Sequence, residues 1–71
     1  MKTKKEQDDL TKREIEVLNK MADGHTQKEI AELLYVSRHT VNTHQQNIYE
    51  KLEVHTGTHA IAKAFRAQMI D

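Results

Sequence analysis

Four stretches of the chain place apolar side chains three and four residues apart, as one face of a helix does, and each is bracketed by residues that start or stop helices. Ile15, Leu18, Met21 and Ala22 make the first stretch. Thr11 and Glu14 ahead of it form a T-x-x-E capping box, Leu10 can staple onto Ile15, and Asp23-Gly24 ends the pattern. The second stretch repeats the device, with Thr26 as cap, Glu29 completing T-x-x-E, and Ile30, Ala31, Leu33 and Leu34 as the buried side. It is too short to be helical alone in water, so packing must hold it. Strict polar/apolar alternation is absent, aromatics are 4% of the chain, and there is no proline. No strands are predicted.

After a brief connection at Tyr35-Val36, Ser37 opens a third helix expected over about 37–52. An advance of ~100° per residue puts Val41, His44, Gln45, Ile48 and Leu52 on its inner side and His39, Asn42, Thr43, Gln46 and Glu50 on its outer side. Val54 to Gly57 reads as a loop, with Gly57, like Gly24, as C-terminal punctuation. Thr56 or Thr58 caps a fourth helix whose inner side is Ile61, Ala64, Phe65 and Gln68. The fold class is therefore all-α, a bundle of four short helices over 10–71. Residues 1–9, MKTKKEQDD, lack periodic apolar positions and are expected to be a flexible arm or linker remnant.

At 71 residues and 8.3 kDa the chain is one domain. A chain this small buries only roughly 60% of its unfolded surface. That leaves no room for a dinucleotide-binding unit or a sizeable substrate cavity. With no cysteine, disulfides, thiolate metal sites and cysteine nucleophiles are all excluded. Neither a run approaching the ~20 apolar residues of a membrane span nor a signal-peptide segment after Met1 is present, and the composition suits the cytoplasm.

Eleven basic and eleven acidic residues give a net charge of zero, which by itself argues against a nucleic-acid partner. The distribution reverses that argument. Eight of the acids fall within residues 1–32, none lies between Leu33 and Tyr49, and none between Val54 and Ile70. A neutral chain can thus present a face that does not repel phosphate.

The second helix, short connection and third helix have helix-turn-helix spacing, in which the second element of the pair enters the major groove. An ordinary exposed helix face interleaves Glu and Lys; this one carries His39, Asn42, Thr43 and Gln46. Asn and Gln can bond adenine bidentately and a threonine methyl can touch that of thymine. These four are the candidate base readers. Helix starts attract phosphate through free N–H groups and the dipole, so Thr26, Lys28, Ser37, Arg38 and Thr40 are candidate phosphate contacts, with Lys51 reaching the backbone from the other end. The partner these residues imply is double-stranded DNA. Thr26 and Ser37 are caps in any case, and a polar, solvated face without a partner is the plain alternative.

Other chemistry is poorly supported. His55 and His59 are four apart with Gly57 and a loop between them, while His39 and His44 point to different sides of their helix, so no metal site is expected. Asp8-Asp9 sit in the arm, and Ser37 lacks a neighbouring base; neither catalytic residues nor cofactors are expected, and the chain is read as no enzyme. Ala60, Ala64 and Ala67 form a small-residue stripe on which a second copy could pack, making a homodimer through the last helix, or they are simply good helix formers.

The run L-T-x-R-E at Leu10–Glu14, Gly24 before the second helix, E-I-A at Glu29–Ala31, S-x-x-T-V at Ser37–Val41, then His44, Asn47-Ile48 and Lys51-Leu52 resembles the LuxR-type helix-turn-helix domain, also called the GerE or NarL type, over about residues 10–70. The resemblance implies a DNA-binding domain of bacterial transcription regulators, found at the C-terminus of quorum-sensing regulators and response regulators. It implies base reading at Asn42, Thr43 and Gln46 and a fourth helix that commonly forms the dimer contact. Two departures stand out. The family often has lysine at Asn42 and Gln46, so non-specific affinity falls and preference leans to A·T pairs. The family usually has arginine at Gly57, which by resemblance is expected to anchor the last helix against Glu14; here Glu14 is expected to lose a partner. Two rival readings keep the same shape: a protein-interaction domain contacting RNA polymerase or another regulator, and a sigma-factor-like promoter reader.

Overall fold

The computed structural model describes residues 10–70; the arm expected at residues 1–9 lies outside them. Four helices follow in order: α1 (Lys12–Ala22), α2 (Gln27–Leu34), α3 (Arg38–Leu52) and α4 (Gly57–Arg66). No strand occurs among the described residues. All four starts are closed by a hydroxyl. The Thr11 and Thr26 hydroxyls accept from the backbone N–H of Glu14 and Glu29, each at 3.1 Å, while those carboxylates accept from the Thr11 and Thr26 N–H, each at 2.9 Å. Ser37 accepts from the Thr40 N–H at 3.0 Å, and Thr56 from that of His59 at 3.2 Å. Of the two threonines offered as caps for α4, Thr56 is therefore the one used.

The helix ends share a second device. One residue turns left-handed, and the next donates its N–H to the carbonyl five residues back: His25 to Lys20 (3.1 Å), Val36 to Ala31 (3.0 Å), Val54 to Tyr49 (2.9 Å) and Met69 to Ala64 (2.8 Å). The left-handed residues are Gly24 (φ 93°), Tyr35 (59°), Glu53 (59°) and Gln68 (62°). Only the first is glycine. An L-residue there costs about 1–2 kcal/mol, and in each of the three non-glycine cases the following Val36, Val54 or Met69 packs against the core. Gly57, expected as punctuation, instead sits in the first turn of α4, where an added Cβ would come within 3.1 Å of the Met21 Cε and 3.2 Å of the Tyr49 hydroxyl. That roof leaves no room for the family's arginine unless both side chains shift.

The core joins Leu10, Val17, Leu18, Ile30, Ala31, Val41, Ile48, Leu52, Ala60, Ala64 and Ile70. Several sequence expectations are corrected by it. Phe65 is 58% exposed and Leu33 47% exposed, Ala22 and Gln68 are also exposed, and Val17 is fully buried. The reason at α4 is geometric: Ala60 and Ala64 are small enough to bring the helix tight against its neighbours, so they mark the inner line and Phe65 is turned about 100° away. In the eight-residue α2, Ile30, Ala31 and half-buried Leu34 already fill the inner side.

Candidate nucleic-acid interface

Tyr35, Val36 and Ser37 join α2 to α3, and the left-handed Tyr35 makes the sharp change of direction. On the outward side of α3, His39, Asn42, Thr43 and Gln46 are all exposed. No acid occupies the first turn of that helix. The inner side is held by Val41, Ile48 and Leu52. The helical register inferred from sequence thus places the four candidate readers on one solvent-facing side. Thr26, Lys28, Ser37 and Arg38 are exposed, and Thr40 is half-buried.

One side chain not singled out by sequence reasoning ties the two helices together on this side. Gln27, half-buried at the first position of α2, donates its amide to Gln45 Oε1 at 2.8 Å and to Asn42 Oδ1 at 3.2 Å. A separation of fifteen and eighteen residues leaves no periodic signal, so only the packing of α2 on α3 reveals it.

The two helix starts on this side differ. At α2 the Glu29 carboxylate already accepts from the Thr26 N–H, and that bond, followed by the contact with His25, holds its pKa below the ordinary 4.5. A phosphate at Thr26 must therefore compete with an ionised carboxylate. At α3 the closure is neutral: Ser37 Oγ donates to Thr40 Oγ1 at 2.9 Å and accepts from the Thr40 N–H. Arg38 follows at once, so no carboxylate competes with an anion at the α3 start.

Lys51, expected as a phosphate contact, is engaged within the chain. Its ammonium donates to Glu14 Oε1 at 2.9 Å, and the Glu14 side chain is only 4% exposed. Glu14, expected to lose a partner, thus has a cationic one, supplied by α3. Burial alone would raise the Glu14 pKa, but hydrogen bonds from Lys51 and the Thr11 N–H, with the charges of Lys51 and His44, carry it below 4.5. Lys63 of α4 donates to the Leu52 carbonyl at 2.7 Å, closing the same end of α3.

The alanine stripe also changes meaning. Ala60 and Ala64 are fully buried in the chain's own core, so neither can meet a second copy, and only Ala67 of the three is exposed. Among the described residues no group of three or more His, Cys, Asp or Glu is gathered as for a metal, and no helix is long and apolar enough to cross a membrane.

A short helix, a tight turn and a longer helix with an exposed polar face, braced by α1 and α4, define a helix-turn-helix domain of the four-helix class. The family profile described as "Bacterial regulatory proteins, luxR family" (GerE) matches residues 8–64. The chain is 54% identical over 57 residues, 80% of its length and 39% of the relative's, to an uncharacterized response regulatory protein, YgeK, of Escherichia coli. It is 45% identical over 62 residues, 87% of its length and 29% of the relative's, to the transcriptional regulatory protein LiaR of Bacillus subtilis. Among solved structures it superposes on the response regulator ChrA of a heme-sensing two-component system with a TM-score of 0.84 at 39% identity, covering 86% of this chain and 30% of that one. The transcription factor GerE gives 0.83 at 30% identity, covering 86% and 91%. The chain belongs to the luxR family of bacterial regulatory proteins. It spans well under half the length of these curated relatives.

Proposed function

We propose that the chain is a sequence-specific, double-stranded DNA-binding module of a bacterial transcription regulator, acting in the cytoplasm, with α3 in the major groove. The observation that carries this is the outward side of α3, where His39, Asn42, Thr43 and Gln46 are exposed on a helix with no acid in its first turn. Amides present donor and acceptor together, which base edges match and solvent does not require. In this reading Asn42, Thr43 and Gln46 contact bases, with His39 beside them. Ser37, Arg38 and Thr40 at the open α3 start hold phosphate, with Lys28 and, in competition with Glu29, Thr26 on the neighbouring strand backbone. Lys51, paired with Glu14 and still about a third exposed, would have to reach phosphate from within that pair. If α4 meets a second copy, the contact falls on exposed Phe65 and Ala67.

The test is selection of binding sites from random duplexes, followed by a salt titration on the winning sequence. A common sequence and an affinity that falls steeply with salt support the reading. Selection without a preferred sequence, or salt-independent binding, overturns it. The second outcome favours a protein partner such as RNA polymerase, to which the zero net charge would be suited.

A further inference from the structure

The amide of Gln27 has two hydrogens and, on this surface, two carbonyl acceptors. Gln45 Oε1 lies at 2.8 Å and Asn42 Oδ1 at 3.2 Å. Gln45 is half-buried, whereas Asn42 is exposed. The shorter bond to the more buried partner anchors the Gln27 side chain. The other then acts on Asn42, whose carbonyl is turned toward α2. That bond engages the oxygen of an exposed amide and not its Nδ2, which carries two donors.

We propose that Gln27 is a positioning residue that fixes which half of the Asn42 amide is offered to a base, making Asn42 a donor to the major groove. This rests on the reading of Asn42 as a base contact given above. A freely turning asparagine pairs with adenine bidentately, giving its N–H to N7 and accepting from the N6 amine. An asparagine whose oxygen is held by Gln27 offers donors, and the base edge with two adjacent acceptors is guanine, through N7 and O6. Cytosine, which presents only its N4 amine as a donor, is refused. The expected lean toward A·T pairs is thereby confined to Gln46, which is exposed, and the base facing Asn42 becomes guanine.

The chemistry specifies its own reversal. In Gln27→Glu the bridging group can only accept. Asn42 and Gln45 must then turn their amides to donate to it, so Asn42 presents its oxygen outward and prefers a donor-bearing base, cytosine or adenine. Gln27→Leu removes the bridge altogether and leaves Asn42 free to turn.

The experiment is site selection with the 71-residue chain and with Asn42→Ala, Gln27→Glu and Gln27→Leu, each scored as relative preference at every position. Asn42→Ala identifies the position Asn42 reads, by losing preference there. At that position the unsubstituted chain is expected to favour guanine about tenfold. Gln27→Glu is expected to invert the preference, and Gln27→Leu to flatten it toward adenine, with the position read by Gln46 unchanged in both. A uniform loss of affinity from the added charge does not move these ratios. If both Gln27 variants keep the original preference, Gln27 does not position Asn42, while the base contact itself stands. If Asn42→Ala changes no position, the base contact fails and the proposal with it. NMR of the side-chain amides in the free protein gives a second readout independent of DNA. The Asn42 Nδ2 protons are expected to shift and average in Gln27→Leu; unchanged signals would overturn the positioning role even if the preference moved.

Discussion

The two sides of α3 treat polarity in opposite ways. On the back, where α3 meets α1 and α4, charge is turned inward: Glu14 is buried and joins the Thr11 N–H and the Lys51 ammonium through the same oxygen. On the front, where α3 meets α2, the bridging groups are neutral amides at the solvent boundary, with Gln27 anchored on Gln45 and reaching to exposed Asn42. The back is built for stability, and the front is the side proposed to meet DNA. Substitutions on the two sides should therefore separate into those that change folding without changing selectivity and those that do the reverse.

The sharpest break comes from Glu14→Ala. It removes one half of a capping box and leaves Lys51 without its carboxylate, and it should lower stability by about 2–3 kcal/mol. Denaturant unfolding measures this, and the base preferences of the folded fraction should not change. The same pair sets a pH dependence. The Glu14 pKa is lowered in the folded state, so its contribution is fully present above the unfolded value near 4.5 and is lost as pH falls through the folded value. Stability should therefore decline in the acid limb below that point, and less steeply in Glu14→Gln.

Effects on the front are smaller and of another kind. Gln46→Ala should weaken discrimination at one base pair by about 1–2 kcal/mol and leave the unfolding midpoint in place. Lys28→Ala should weaken all sequences alike by about 1 kcal/mol and reduce the salt slope by about one unit. If both variants lose affinity uniformly, the division of labour between base and phosphate contacts fails. The smallest effect belongs to the helix ends: Glu53→Gly, which relieves a left-handed L-residue at the close of α3, should stabilise the fold by about 0.5 kcal/mol in thermal melts.

Helix number, order and the first three starts were legible in the chain because each of those starts is a local event: Thr11 with Glu14, Thr26 with Glu29 and Ser37 with Thr40 all close within three residues. The outward side of α3 was legible for the same reason, since its periodicity needs no knowledge of neighbours. What failed depends on how closely elements approach. Phe65 lies outside and Ala60 joins the expected Ala64 inside because α4 packs tightly, a fact about three helices together. The Lys51 partner of Glu14 is thirty-seven residues away in sequence and the Gln27 partners fifteen and eighteen, so no local pattern announces them.

Tyr35 holds the corner between the two helices at φ 59° while 93% of its surface faces water. Direction at that corner is enforced by the valine behind it, so the tyrosine ring is not consumed by architecture. The bend of the motif and the identity of the side chain displayed at its apex are thereby uncoupled. Replacement of that ring can redecorate the tip without redirecting the polypeptide.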